Sequence, residues 1–464
     1  MKLSYQKIFF LGIGGIGMSA LARYFRLKGA VVMGYDRTPT ALTKQLQQEG
    51  IEIFFDDEEA LYPTDVDLVV FTPAIPANHK GFNLYQKGNF NLKKRSEVLG
   101  NISADEFTIA VAGSHGKTTV SSIIAHILIH AGYNVEAFLG GICSNYDSNY
   151  LSSFTINQGN SKPLSKNIPK AIVVEADEFD RSFHRLHPNF AVVTAVDTDH
   201  LDIYGNKQAI DEAFITFCSK IDEEGFLTIK SNQSINENLP LVDKAFYALQ
   251  NNGADVFCSK YWVVEGGYLF HISYFGKEYK GFRLNIGGLH NIENAIAAFT
   301  ICKELGLSNE EIHSGIATFK GIKRRFEKLV ENEKHVLIDD YAHHPEEIKM
   351  FLTSLKELYS GRKITAVFQP HLFTRTRDLA EGFAQSLSIA DEVVLLDIYP
   401  ARELPIEGVS SQLIFERLQV KEKHLITKTA LVDFVRSNHN LDVLATIGAG
   451  DIDKYLSEIT ALLS

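Results

Sequence analysis

Residues 107–120 read FTIAVAGSHGKTTV. An apolar run of strand length meets a loop with two glycines. TTVSSIIAHILIHAG, from residue 118, then follows with helical character. Strand, glycine loop and helix in that order make a phosphate cradle. Gly113 and Gly116 let backbone N–H groups wrap an anion, with Ser114 and His115 between them. Lys117 can reach β and γ phosphates, Thr118 can offer its hydroxyl to Mg²⁺, and Thr119 extends the helix start. The strict P-loop spacing asks for a glycine at 111, where this chain has Val111, yet every required chemical group remains.

Working back toward the start, a second glycine loop comes into view. KIFFLG (7–12) is a buried strand, GIGGIG (12–17) a tight turn, SALARYFRLKG a helix and AVVMGYD another strand. Gly12, Gly14 and Gly17 fit GxGxxG, with Gly15 inside the turn and Asp36 closing the second strand, where it could accept a ribose hydroxyl. The physical content of that loop is a diphosphate near a helix start, which NAD and a UDP-sugar satisfy equally. DLVVFTPAIP (67–76) adds a strand ending near Thr72, and SEVLGNISADE (96–106) reads as a linker. The KKR run at 93–95 reads as a solvated face.

Past the 107–120 stretch, VVEADEFD and TAVDTDHLD put Glu175, Asp177, Glu178, Asp197, Asp199, His200 and Asp202 at strand ends. In an α/β sheet, those ends converge on the ligand crevice, and hard oxygen ligands there suit phosphate-bound Mg²⁺. The polar segment 144–169 reads as a surface excursion. DVFCSKYWVVEGGYLFHISYFG reads as antiparallel strands, followed by a helix at NIENAIAAFTICKELG. HVLIDD, ITAVFQP, EVVLLDI and DVLATIGAG then build a third α/β unit.

The chain has 464 residues, room for two to four domains, and its 45% hydrophobic and 22% charged content is ordinary for a globular protein. A formal net charge of -11 argues against a general nucleic-acid or anionic-membrane binder, while leaving room for one anionic ligand in a local loop. The four cysteines are too scattered for a metal motif or disulfide frame; Cys218 and Cys302 lie in apolar helical patterns and read as buried thiols. No secretory signal and no membrane-length apolar stretch is evident, so a cytoplasmic location is expected.

Nine separated stretches, GIGGIGMSALA, AGSHGKTT, EADEFD, DTDHLDIYG, GLHNIENA, GIKRRFE, DDYAHHP, QPHLFTRTRD and GAGD, together resemble the Mur ligases over nearly the whole length. The resemblance implies an α/β protein of three domains. These are a Rossmann-like domain for a UDP-sugar (1–102), a central P-loop ATPase-type domain with added antiparallel strands (103–321), and a C-terminal Rossmann-like domain (322–464) that closes over the site. It implies that Gly12, Gly14, Gly15, Gly17, Asp36 and Thr72 serve the UDP substrate. Gly113 through Thr119, His290, Asn291, Asn294, Arg325, Asp340 and His344 would serve ATP. Thr118, Glu175 and His200 would surround Mg²⁺, with Lys117, Glu175 and His200 as the catalytic set. His371, Arg375 and Arg377 would receive an amino acid, whose carboxylate needs a charged partner.

The activity so implied is ATP-dependent joining of L-alanine to the carboxylate of UDP-N-acetylmuramate, with Mg²⁺, in a monomer or weak homodimer. The absence of lysine from EADEFD and DTDHLD fits the alanine-adding branch, which is expected to manage without a carbamylated lysine. Three other readings stay open: a ligase adding a preformed tripeptide to the same UDP-sugar acid, an NAD-dependent oxidoreductase using the first loop, and a nucleotide-sensing module without turnover.

Overall fold

The computed structural model describes residues 5–197, 201–264, 266–401 and 403–464. Their strands assemble into three sheets. The first holds β1 (Lys7–Leu11), β2 (Val31–Tyr35), β3 (Glu52–Phe54), β4 (Leu68–Phe71) and β5 (Leu92–Lys94), all parallel, in the order β3-β2-β1-β4-β5. β1 is apolar on both faces because both are covered; Ile8, Phe9, Phe10 and Leu11 are fully buried. Each such side chain contributes about 1.5–3 kcal/mol when taken from water. Strand order reverses between β1 and β4, so the chain leaving their C-terminal ends borders a crevice.

The second sheet contains β6 (Phe107–Ala112), β7 (Val135–Cys143), β8 (Ser148–Ser152), β9 (Ala171–Glu175), β10 (Phe190–Val193), β11 (Phe226–Lys230) and β12 (Asp243–Ala248). It runs β12-β11-β10-β6-β9-β7-β8, and only β8 is antiparallel to its neighbour within that series. β13 (Val256–Val264), β14 (Gly267–Tyr274) and β15 (Lys277–Leu284) extend the order beyond β12. The third sheet is β16 (Glu327–Glu331), β17 (Val336–Asp340), β18 (Ile364–Phe368), β19 (Glu392–Leu395), β20 (Glu422–Leu425) and β21 (Val443–Ile447), ordered β16-β17-β21-β18-β19-β20, with β16 alone antiparallel.

By compactness the chain forms two units. One comprises residues 1–259, 272–279 and 293–316, the other residues 260–271, 280–292 and 317–464. In the first, a continuous apolar core joins the N-terminal helix Ile16–Leu27 to the central sheet, with Tyr24 packed on Phe138 and Tyr150. In the second, Leu337, Val367, Val394 and Leu444 centre a separate core.

Two readings of the sequence are corrected here. Residues 96–106 are not a linker: Arg95–Ala104 is a helix. The Glu97 carboxylate accepts the Lys94 N–H at 2.9 Å, Val98 and Leu99 are buried, and Gly100 permits the Arg185 backbone to approach. Its N-cap is Lys94 and not the Ser, Thr, Asp or Asn usual at that position, which is why it reads as loop. The polar segment 144–169 is not purely a surface excursion, because β8 forms the sheet edge and Asn149 is fully buried.

Candidate active site

The first loop leaves β1 and enters the helix Ile16–Leu27 with Gly15 as its N-cap. Thr72, just past β4, lies against it: a Cβ on Gly12 would meet the Thr72 methyl at 2.8 Å. Asp36 accepts the Gly14 N–H at 2.7 Å and the Thr38 N–H at 3.2 Å, bracing the loop with the carboxylate the sequence offers to a ribose. Gly17 faces Arg95, whose Nη1 would be 2.7 Å from any Cβ there. Arg95 donates to Asp177 at 3.1 Å. The KKR run is therefore not a wholly solvated face; its arginine spans two loops.

The second loop is shaped as its glycines require. Gly113 and Gly116 take φ of 136° and 80°, values unfavourable for a residue with a Cβ. Behind Gly113 stands Thr194, whose hydroxyl donates to the carbonyls of Ala112 and His115. The Ser114 N–H donates to Ala195 O at 2.9 Å, and the Ser114 hydroxyl accepts the Asp197 N–H at 2.9 Å. His115 is mostly exposed, with Nε2 3.8 Å from Asp197. The helix Lys117–His130 begins at the loop, with Thr118 and Thr119 buried in its first turn. Lys117 donates to Gly113 O at 2.6 Å and to Glu178 Oε1 at 2.8 Å. Both ends of that pair are largely sequestered, with side chains 14% and 5% exposed. Glu178, which the sequence offers only as one acid at a strand end, is thus the partner of Lys117.

Glu175 ends β9 in register with Val111 of β6, beside the phosphate loop, and accepts the Gly140 N–H at 2.8 Å. Asn294 reaches the same loop; a Cβ on Gly116 would meet its Oδ1 at 2.7 Å. Asp199 and His200 lie outside the described residues. Among the described residues no three His, Cys, Asp or Glu side chains gather as a metal cage. Mg²⁺ needs only one or two carboxylates when phosphates and waters fill its shell, so the donor set of Thr118 and Glu175 fits it.

In the second unit, DDYAHHP, QPHLFTRTRD and GAGD lie at the C-terminal ends of the neighbouring strands β17, β18 and β21. His290 lies against Gly288, and Asn291 donates to Gly287 O at 2.6 Å. Asp340 accepts N–H groups from Phe326 and Ala342, at 2.7 and 2.8 Å. Burial nevertheless pushes its carboxyl up to about 7, with neighbouring Asp339 adding to the rise and Arg325 opposing it. Arg324 donates to Asp339, Gly448 O and Gly450 O, and so ties the segment before β16 to GAGD. His344 is the N-cap of the helix Pro345–Leu358; its Nδ1 accepts the Glu346 N–H at 3.4 Å.

His371 stacks on Tyr399, and Arg375 Nη1 lies 3.4 Å from its Nδ1. Burial and the adjacent Arg375 hold the His371 imidazole below its ordinary pKa. Glu403 accepts from the Thr374 N–H at 3.0 Å and from its hydroxyl, bracing the start of the helix Phe373–Leu387. Two residues along a helix do not face the same way, and Arg377 is about half exposed, forked onto Asp378 at 2.7 and 3.1 Å.

Comparisons with known proteins agree along the chain. The Mur ligase family catalytic domain matches residues 7–107, the Mur ligase middle domain 111–302, and the Mur ligase glutamate ligase domain 324–450. UDP-N-acetylmuramate–L-alanine ligase from Porphyromonas gingivalis is 44% identical over 99% of both chains. The enzyme of that name from Flavobacterium johnsoniae is 44% identical over 99% of this chain and 98% of its own. The crystal structure of UDP-N-acetylmuramate–alanine ligase from Thermotoga maritima superimposes with a TM-score of 0.82 at 26% identity, covering 98% of each chain. With three α/β sheets matched by three family domains, and with these relatives matching end to end, the chain belongs to the Mur ligase family and is a homologue of its UDP-N-acetylmuramate–L-alanine ligases.

Proposed function

We propose that this chain uses ATP to join L-alanine to the carboxylate of UDP-N-acetylmuramate, giving UDP-N-acetylmuramoyl-L-alanine, ADP and phosphate for peptidoglycan synthesis. One observation carries the reading. The segment 175–178 touches both glycine loops, Asp177 through Arg95 at Gly17 and Glu178 through Lys117. An enzyme of one nucleotide has no use for that junction, whereas one that activates a UDP-linked acid with ATP requires the two loops to share a crevice.

A carboxylate does not acylate an amine at neutral pH without activation. In the proposed sequence a muramate carboxylate oxygen attacks the γ-phosphorus and ADP departs. The uncharged amine of L-alanine attacks the resulting acyl phosphate; phosphate leaves and the nitrogen loses a proton. Lys117 and the 113–119 backbone N–H groups stabilise charge on the transferring phosphoryl group. Thr118 and Glu175 would hold Mg²⁺, which when bound supplies neutralisation of phosphate charge. Asn294 borders the second loop, and His290, Asn291, Arg325, Asp340 and His344 are proposed as further nucleotide contacts. Arg375 beside His371 is the better-sited cation for the alanine carboxylate. The enzyme is proposed to act in the cytoplasm as a monomer or weak homodimer; its four cysteines are buried and form no disulfide among the described residues, which suits a reducing compartment. No helix among the described residues is long and apolar enough to cross a membrane.

A substrate panel tests the proposal. ADP release should require ATP and UDP-N-acetylmuramate together and should be driven by L-alanine. Preference for a preformed tripeptide would overturn the alanine assignment, and no turnover with any combination would overturn ligase activity.

A further inference from the structure

We propose that Arg95 is the cation that grips the diphosphate of the UDP substrate, and that Asp177 is its resident counter-ion until that diphosphate arrives. The inference rests on the UDP-binding assignment of the first loop and adds to it a residue from a distant part of the chain. Arg95 is the first residue of the helix Arg95–Ala104 and comes from beside β5, the strand next to β4. It reaches the first turn of the helix Ile16–Leu27, where the guanidinium lies so close to Gly17 that any Cβ would stand 2.7 Å from Nη1 and 3.2 Å from Cζ. Any side chain at position 17 would push that guanidinium from its place. The side chain is 21% exposed, sheltered yet open on one edge.

The chemistry suits that place. A diphosphate at a helix start meets several N–H donors but little formal charge. A planar guanidinium supplies both charge and parallel donors matched to phosphate oxygens. Its one ion-pair partner among the described residues, Asp177 Oδ2 at 3.1 Å, is itself 41% exposed, whereas Asp177 Oδ1 is engaged by the Phe179 N–H. Such a half-solvated pair is worth little, so a dianionic group displaces it readily.

The neighbouring residue repeats the arrangement. Glu178 holds Lys117 at the second loop just as Asp177 holds Arg95 at the first. Two adjacent carboxylates thus keep one cation each in position at two phosphate sites. Neutralising a counter-ion of this kind removes a competitor of the ligand; neutralising a purely structural partner loosens the site.

The test is calorimetric titration of the full chain with UDP, UDP-N-acetylmuramate and, as a control, ADP. Arg95→Ala is expected to weaken UDP about tenfold or more, the loss of one charge-assisted contact, while ADP binding stays within about twofold. Asp177→Asn is expected to hold or tighten UDP affinity, and to have no effect when Arg95→Ala is already present. Should Arg95→Ala lose ADP binding through misfolding, Arg95→Lys carries the test, with UDP weakened and ADP retained. UDP affinity unchanged in a folded Arg95 variant, or weakened by Asp177→Asn, overturns the inference and leaves the substrate assignment standing. Failure of the unaltered protein to bind UDP or UDP-N-acetylmuramate overturns both.

Discussion

Lys117 is held between a loop carbonyl and a nearly buried carboxylate, 2.6 and 2.8 Å away, so its ammonium is poised before any nucleotide binds. Lys117→Ala should lower turnover by about 10²–10³, the usual loss for one stabilising donor. ADP release in single turnover measures this, and calorimetry should find UDP-N-acetylmuramate binding intact; full activity in the variant would remove the lysine from the mechanism. In the amino-acid region, Arg375→Ala should raise the KM for L-alanine about tenfold or more, and Arg377→Ala should leave it within about twofold. The reverse pattern would return the carboxylate to Arg377. The glycines, Lys117 and Thr118 were legible because a local motif carries its own geometry. Arg95 was not, since its partner Asp177 lies 82 positions away and nothing near residue 95 signals it. Glu178 was visible as an acid at a strand end, but its pairing with Lys117 is a tertiary fact.

The edge of the central sheet and the first helix form one polar joint inside an apolar core. Asn149 on β8 donates to Ile16 O and to the Ser19 hydroxyl and accepts from Arg23, which forks onto Glu49. Asn149→Ala leaves those buried groups unmatched and should cost about 1–3 kcal/mol. That loss should appear as an unfolding midpoint lower by about 1–2 °C per kcal/mol in a chain of this size, and an unchanged midpoint would show that the joint is dispensable. Composition makes 144–169 look like loop because Ser and Asn dominate; β8 forms there since the helix Ile16–Leu27 offers matching donors and acceptors that the segment's own letters do not reveal. At the end of β17, Asp340 has a carboxyl raised to about 7 by burial. Between about pH 4 and 7 the folded chain keeps a proton that the unfolded chain has released. Stability therefore falls as pH rises through that window and levels above it. Asp340→Asn should flatten the fall, read from urea unfolding of the full chain at pH 5 and 8; an undiminished slope would assign it to other groups.

At the scale of the whole molecule, one rule recurs in every sheet: the candidate site residues lie at or just past the C-terminal ends of parallel strands. Gly12 and Thr72 follow β1 and β4; Gly113, Glu175 and Asp197 follow β6, β9 and β10; His371 and Gly448 follow β18 and β21. Three α/β sheets were legible because apolar strand runs and glycine loops alternate along the chain. Strand β20 was not expected, because Glu422–Leu425 is a polar edge with a single apolar residue, given its place by pairing with β19. The central claim is that one crevice joins a phosphoryl donor to a UDP-linked acid. Isotope transfer tests it most directly: UDP-N-acetylmuramate carrying ¹⁸O in both carboxylate oxygens is turned over with ATP and L-alanine, and the released phosphate is weighed by mass spectrometry. The account predicts one ¹⁸O in each phosphate, delivered when the acyl phosphate collapses; phosphate free of label, with amide product formed, would contradict it.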